Sequence, residues 1–332
     1  MEVMNGDWLT EGPVTAEFEK ELEAYLGAHV CVVNSGSSAL MCSLLASGFK
    51  PGDEVVVPAI THIATLTAPY ILGARIKIVD VDLNTFNMEF NHYDADFIIP
   101  VDVAGIPSNI LMGGGQVIHD RAQSFGSKLF APYIDHGNPS CYSFQMTKQL
   151  TTIEGGCIVS SDEDFVQRCR RIKNYGRTDK PYVHDIIGTN WRTTDINSAI
   201  GLEQLRYVDD TIKRRQHVFR RYLRELEGPV SFQNAPYDYM SSHMFAFVFI
   251  NNGKMPLIYA TLNKLGIDVR RMWLPLNMQP CVTSDMQGRI NNPTCPNAET
   301  IYQNTLSLPI SNGITDKEVD TIIDEFNRII NR

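Results

Sequence analysis

The chain lacks several things, and each absence narrows the field. It has no apolar run long enough to cross a bilayer, since a spanning helix needs about 20 such residues. It has no basic stripe: 29 Lys and Arg stand against 38 Asp and Glu, for a net charge of −9. That argues against a nucleic-acid partner, whose phosphates call for clustered cations. A local basic pocket for a small anion stays open. The seven cysteines are scattered, with no CxxC pair. Reduced thiols in a cytoplasmic protein are the simple reading, and no metal site is expected. There is no internal repeat and no low-complexity tract. The opening MEVMNGDWLTEG is acidic and polar, unlike a secretory signal.

What is present suits an enzyme. The 332 residues are 43% hydrophobic and 20% charged, enough for two domains and a large core. Short apolar strands are expected over 28–33, 53–58, 75–79, 97–101, 116–119, 141–144 and 157–160. Helical patterns lie between several of them. This alternation indicates an α/β sheet with buried strands. Gly113 to Gly115 reads as a loop. Residues 174–192 form a long irregular segment, and loops of that length tend to be functional. Apolar positions then recur at helical spacing from Ile196 to Ile212, continuing to about Glu227. The last hundred residues mix strands and helices.

Three stretches carry candidate chemistry. In CYSFQMTKQLTTIEGG, Lys148 follows a strand by four residues and precedes a Gly-Gly turn. A sheltered lysine loses its proton readily and attacks carbonyls; taken alone, the stretch also suits an ordinary exposed loop lysine. In HVCVVNSGSSAL a strand leads through a small polar turn into a helix, the geometry that binds phosphate on free backbone N–H groups. Gly36 permits close approach and Ser37 adds a hydroxyl; a well-capped helix with no ligand fits equally. In VIHDRAQSFGS, Asp120 ends an apolar strand, where ligands gather in open α/β sheets. Gln123 would lie one helical turn further on. A helix-capping Asp is the bland alternative.

Together NSGSSAL, GDEVVVPAITHIAT, HDRAQSFGS, SFQMTKQLTTIEGG and GTNWRTTDINSAIGLEQL resemble, in that order, the sugar aminotransferases of the DegT/DnrJ/EryC1/StrS family. The likeness runs from LTEGPVTAEFEKEL to LSLPISNGITDKEVDTII. It implies the aspartate aminotransferase fold, pyridoxal-phosphate fold type I. A large domain over 1–220 would hold a mixed, mostly parallel seven-stranded sheet. A smaller α+β domain would follow over 221–332. It also implies the cofactor pyridoxal 5′-phosphate, with Lys148 forming its Schiff base. Asp120 would bond the pyridine nitrogen, making the ring an electron sink, and Gln123 would approach the ring's phenolate side. Gly36, Ser37 and Ser143 would hold the phosphate. Asn190 would reach it from the other subunit of a homodimer with shared sites. His62 stands where the family usually stacks an aromatic on the ring.

Two departures and a substrate follow from the likeness. A branch of the family with histidine at the cofactor lysine performs dehydration; Lys148 makes transamination the expected chemistry. Asn277 stands where a histidine often follows the Pro-Leu of the C-terminal domain, which leaves substrate contacts from that segment in doubt. The expected reaction moves an amino group from L-glutamate to a nucleotide-linked 4-keto-6-deoxyhexose, as in perosamine-type or viosamine-type synthases. Amination of a C3-keto sugar or a cyclitol is the nearest alternative. A pyridoxal-phosphate protein that only binds and regulates is a further one, and intact Lys148, Asp120 and Gln123 speak against it. A nucleotide-binding reductase would need GxGxxG after the first strand, which NSGSSAL lacks. Trp8, Tyr182, His184 and Arg192 are candidate sugar contacts, with ordinary packing as the alternative for each.

Overall fold

The computed structural model describes residues 3–6, 8–89, 91–108, 114–127, 137–234, 243–285 and 287–332. Gly113 lies outside these. The order is α1 (Pro13–Leu26), β1 (His29–Val33), α2 (Gly36–Ala46), β2 (Glu54–Pro58), α3 (Ala64–Ile71), β3 (Arg75–Val79), β4 (Phe97–Ile98), β5 (Gln116–Val117) and β6 (His119–Asp120). Next come β7 (Ser140–Ser143), β8 (Gly156–Ser160), α4 (Glu163–Ile172), α5 (Asp195–Arg206) and α6 (Val208–Glu225). The C-terminal third holds β9 (Val230–Phe232), β10 (Ala246–Ile250), α7 (Met255–Lys264), β11 (Arg270–Arg271), α8 (Pro280–Thr283), β12 (Ile290–Asn291), α9 (Pro296–Asn304), β13 (Thr305–Leu308) and α10 (Asp316–Ile330).

Two sheets meet along residues 116–120. One runs β1-β8-β7-β6 and the other β12-β3-β2-β4-β5. The ladder is continuous between them, because Ile118 N–H donates to Ile98 O (3.0 Å) and Asp120 N–H to Pro100 O (2.9 Å). Pairing is parallel except where β8 lies antiparallel to β1 and to β7. β1, β2 and β8 are buried on both faces, so their sequences are near-continuous apolar runs, whereas β3 alternates buried Ile with the more exposed Arg75 and Lys77. On one face α2 is apolar nearly all round, and it is buried against β7 and β8.

The expected elements differ from the observed ones in instructive places. The turn ending NSGS is shorter than expected: α2 begins at Gly36, because the Ser35 hydroxyl accepts from Ser38 N–H (3.1 Å) and caps it. Residues 121–127 form turns rather than a helix, so Gln123 is placed by a turn. The helical pattern after Ile196 breaks at Tyr207 (φ −112°, ψ 3°), giving two helices. Strand β12 adds in parallel to the edge of β3, tying the C-terminal third to the sheet that holds β2, β3, β4 and β5. That third also has a sheet of its own, β11-β13-β10-β9. One of its faces packs on α7 and α10 around Val248, Ile258, Leu306, Ile322 and Phe326.

Candidate active site

The C-terminal end of β6, the start of α2 and the turn after β7 converge on one cavity of about 570 Å³. Lys148 and Asp120 both line it, as do Gly36, Ser37, His62, Gln123 and Ser143. Backbone packing explains the convergence. A Cβ on Gly36 would lie 2.9 Å from Ser143 Cβ, and one on Gly156 would lie 2.6 Å from Tyr142 O. Only glycine lets the end of the Lys148 turn press against the first turn of α2. The N-terminal N–H groups of α2 and the hydroxyls of Ser37 and Ser143 therefore share one rim of the cavity.

Asp120 is buried, and each carboxylate oxygen has a donor. Thr65 Oγ1 gives 2.7 Å to Oδ2, and Ala122 N–H gives 3.1 Å to Oδ1. Thr65 in turn meets the Thr61 hydroxyl at 2.7 Å. Burial raises the Asp120 pKa above the usual carboxylate value. The bonds from Thr65 and Ala122 and the charge of Lys148 pull the other way.

Lys148 Nζ lies 3.6 Å from Met244 Sδ. Burial lowers its pKa to about 8; Asp120 opposes this and Arg215 adds to it. At pH 7.5 about a quarter of such amines are neutral, against about one in a thousand for an exposed lysine. His62 Nδ1 accepts from Ala64 N–H (3.2 Å), which places the proton of the neutral ring on Nε2. Withdrawal of water by the cavity walls lowers the pKa of His62, and Lys148 acts in the same sense. Gln123 Oε1 accepts from the N–H of Ala104 at 2.9 Å. This orients the amide, and Ala104 itself sits at φ 60°, a left-handed conformation that the surroundings must enforce.

A further wall of the cavity is not marked in the sequence. Met244, Phe245, Phe247 and Trp273 supply an apolar face there, with Phe245 and Trp273 edge to face at 5.3 Å. Arg270 and Arg271 of β11 also line the cavity. These residues belong to the C-terminal third, and their local pattern (MFAFVFI, RRMW) reads only as strand. Thr65 is likewise unmarked, since nothing sets it apart from other small helix residues.

Five of the expected residues lie away from this cavity among the described residues. Asn190 is exposed; its Oδ1 accepts from Arg192 N–H (3.4 Å), and its backbone bridges Asn174. Arg192 donates to Asn174 Oδ1 (2.7 Å) and lies over the Tyr175 ring. Tyr182 is 93% exposed and Trp8 67%. His184 holds the Tyr175 carbonyl at 3.0 Å. Asn277 is buried against Glu299 (3.1 Å) and does not line the cavity.

The residues present fit pyridoxal phosphate. A helix N-terminus with hydroxyls offers an anion cradle, and a buried carboxylate and an amine of lowered pKa face the same space. The sequence profile of the DegT/DnrJ/EryC1/StrS aminotransferase family matches residues 1–327. A GDP-perosamine synthase from Caulobacter vibrioides is 28% identical, over 99% of this chain and 94% of that protein. A DegT/DnrJ/EryC1/StrS aminotransferase structure from Brucella abortus is 26% identical with a TM-score of 0.88, over 99% of this chain and 93% of that one. The structure of NtdA from Bacillus subtilis, with bound pyridoxamine phosphate, is 25% identical with a TM-score of 0.89, over 100% of this chain and 80% of that one. The fold is the aspartate aminotransferase type that the resemblance implied. The chain belongs to the DegT/DnrJ/EryC1/StrS aminotransferase family, and it is an enzyme that works with pyridoxal 5′-phosphate.

Proposed function

We propose that the protein transfers an amino group from L-glutamate to a nucleotide-linked 4-keto-6-deoxyhexose, in the manner of perosamine-type or viosamine-type synthases. The observation that carries this is the pairing of Lys148, an amine poised near neutrality, with the doubly bonded carboxylate of Asp120 across one cavity. The name of the Caulobacter relative supports the sugar substrate.

Bound in this cavity, pyridoxal phosphate supplies a carbonyl that condenses with amines and a ring that spreads carbanion charge. The α2 N-terminus with Gly36, Ser37 and Ser143 would hold its phosphate. Asp120 would hold a proton on the pyridine nitrogen, through the oxygens that Thr65 and Ala122 already fix. Gln123 and His62 would line the ring. Lys148 Nζ would take the proton from the amino-acid Cα and deliver it to the cofactor's former carbonyl carbon, on the other side of the amino nitrogen. The apolar wall of Met244, Phe245, Phe247 and Trp273 excludes water and so sharpens each of these electrostatic contacts. The kinetics should be ping-pong.

The same reading makes the enzyme a homodimer. Asn190 is exposed and off its own cavity, as suits a residue that reaches the partner's phosphate site. It also divides the chain near residue 220, in keeping with the separate apolar cluster of the C-terminal third. The test is incubation with glutamate and a panel of UDP-, GDP- and dTDP-linked 4-keto and 3-keto sugars, with products read by mass spectrometry. An amino sugar from a 4-keto member is expected. Turnover of 3-keto members alone would replace C4 with C3 amination, and no product from any member would remove the sugar assignment.

A further inference from the structure

Arg215 lies buried on α6, on the far side of the turn that carries Lys148. Its Nε donates to Asn312 Oδ1 at 3.0 Å. Its Nη2 reaches the carbonyls of Thr147 and Lys148, each at 3.4 Å. Asn312 is itself fixed to the same helix by Thr211 Oγ1 at 3.2 Å. Every acceptor is neutral. Among the described residues no carboxylate pairs with this guanidinium, although other arginines of the helix have them: Arg214 pairs with Asp316, and Arg221 with Glu225 and Asp320. A buried cation held only by carbonyls and an amide costs stability. The group it faces is the Lys148 turn.

We propose that Arg215 is a positioning residue for the Lys148 amine. It clamps the backbone of the turn and sets a fixed positive charge beneath it, which favours the neutral amine. The inference rests on the reading of Lys148 as the cofactor lysine. The direction of the electrostatics agrees, since Arg215 lowers the pKa of Lys148 beyond the effect of burial, against Asp120. The other charged or titratable groups of the cavity are His62, Glu154, Arg270 and Arg271. All of them stay in place in the variants below, so a comparison isolates Arg215. The clamp also joins the lysine turn to the loop between β13 and α10, so the C-terminal third helps set the amine.

The test reads Lys148 directly. The full-length chain, stripped of cofactor with phenylhydrazine, is labelled with acetic anhydride from about pH 6 to about pH 10, spanning the shifted and ordinary lysine ranges. The acetylated fraction of Lys148 is followed by tryptic mass spectrometry, with folding checked by thermal melting. Arg215→Met should raise the half-labelling pH of Lys148 by about half a unit, which slows labelling at pH 7.5 about threefold. Arg215→Lys keeps a cation and should leave the profile near the wild type. If Arg215→Met does not fold, Arg215→Gln is read in its place with the same expected rise. An unmoved profile in a folded neutral variant overturns the proposal, and so does an Arg215→Lys profile that rises as far as the neutral one. Borohydride trapping separates the two layers. Cofactor fixed on another lysine sinks the reading of Lys148, whereas cofactor fixed on Lys148 with an unmoved profile sinks the role of Arg215 alone.

Discussion

A lysine with a native pKa near 8 leaves a thermodynamic trace. Its unfolded value is the ordinary one, 10.5. Between these values the unfolded chain binds a proton that the native chain does not, so native stability rises as pH climbs through that window. Below about pH 8 the native state carries the ammonium in a sheltered site and bears the cost. Lys148→Met removes this dependence. Melting curves of the two proteins, both stripped of cofactor, should place the variant above the wild type at pH 7. The gap should close by about pH 10.5. A gap that does not change with pH would mean that Lys148 is not sheltered.

At the same scale, Asp120 and Lys148 were legible because strand ends and glycine turns mark them in one dimension. Their partners were not. Thr65 approaches Asp120 from 55 residues away and Met244 approaches Lys148 from 96. No periodicity encodes such a meeting.

At the scale of elements, one side chain joins two. Asp195, in the first turn of α5, is buried and accepts from Gly12 N–H (2.8 Å), Val14 N–H (3.1 Å) and Thr15 Oγ1 (2.6 Å). It thereby caps α1, whose own N-cap is a glycine without a side chain. Asp195→Ala would leave the part-buried N–H groups of Gly12 and Val14 without this acceptor, while Thr15 Oγ1 keeps Ser198 Oγ at 3.0 Å, and should cost about 2–3 kcal/mol in urea unfolding. A loss under about 1 kcal/mol would show that water replaces the carboxylate.

The same α5 turn reaches the lysine stretch, where Asn197 Nδ2 holds the carbonyls of Thr152 and Glu154, each at 2.8 Å. Between them Ile153 is forced to φ 72° while 59% exposed. A β-branched residue is strained there. Ile153→Asn, better tolerated in that conformation, should gain about 1 kcal/mol. Loss of stability instead would mean that the assembled protein covers the Ile153 side chain. In sequence this stretch reads only as a polar link before Gly-Gly. The strands EVVVP and RIKIV, by contrast, were plain: burial on both faces leaves EVVVP an unbroken apolar run, and RIKIV alternates buried Ile with more exposed Arg75 and Lys77.

At the scale of the whole molecule, the sheet order and the apolar wall of the cavity depend on the C-terminal third folding back. Two-residue strands such as β11 and β12 carry too few residues to show a pattern, so this return was not legible. The proposed two-chain site belongs to this scale as well. Asn190→Ala should weaken cofactor binding roughly tenfold or more, as for a lost hydrogen bond to a charged group. Mixing Lys148→Ala chains with Asn190→Ala chains under subunit exchange should restore activity above either parent. Mixed dimers then carry both defects at one site and none at the other. Parental activity despite proven exchange would return Asn190 to its own chain.

Every step proposed for this enzyme passes through one amine, so the most direct measurement is chemical trapping. The purified protein, loaded with pyridoxal phosphate, should be yellow and lose its visible band on reduction with borohydride. Tryptic mapping should then find the phosphopyridoxyl group on Lys148. The group on any other lysine, or a colourless protein that reduction leaves unmodified, would contradict the account.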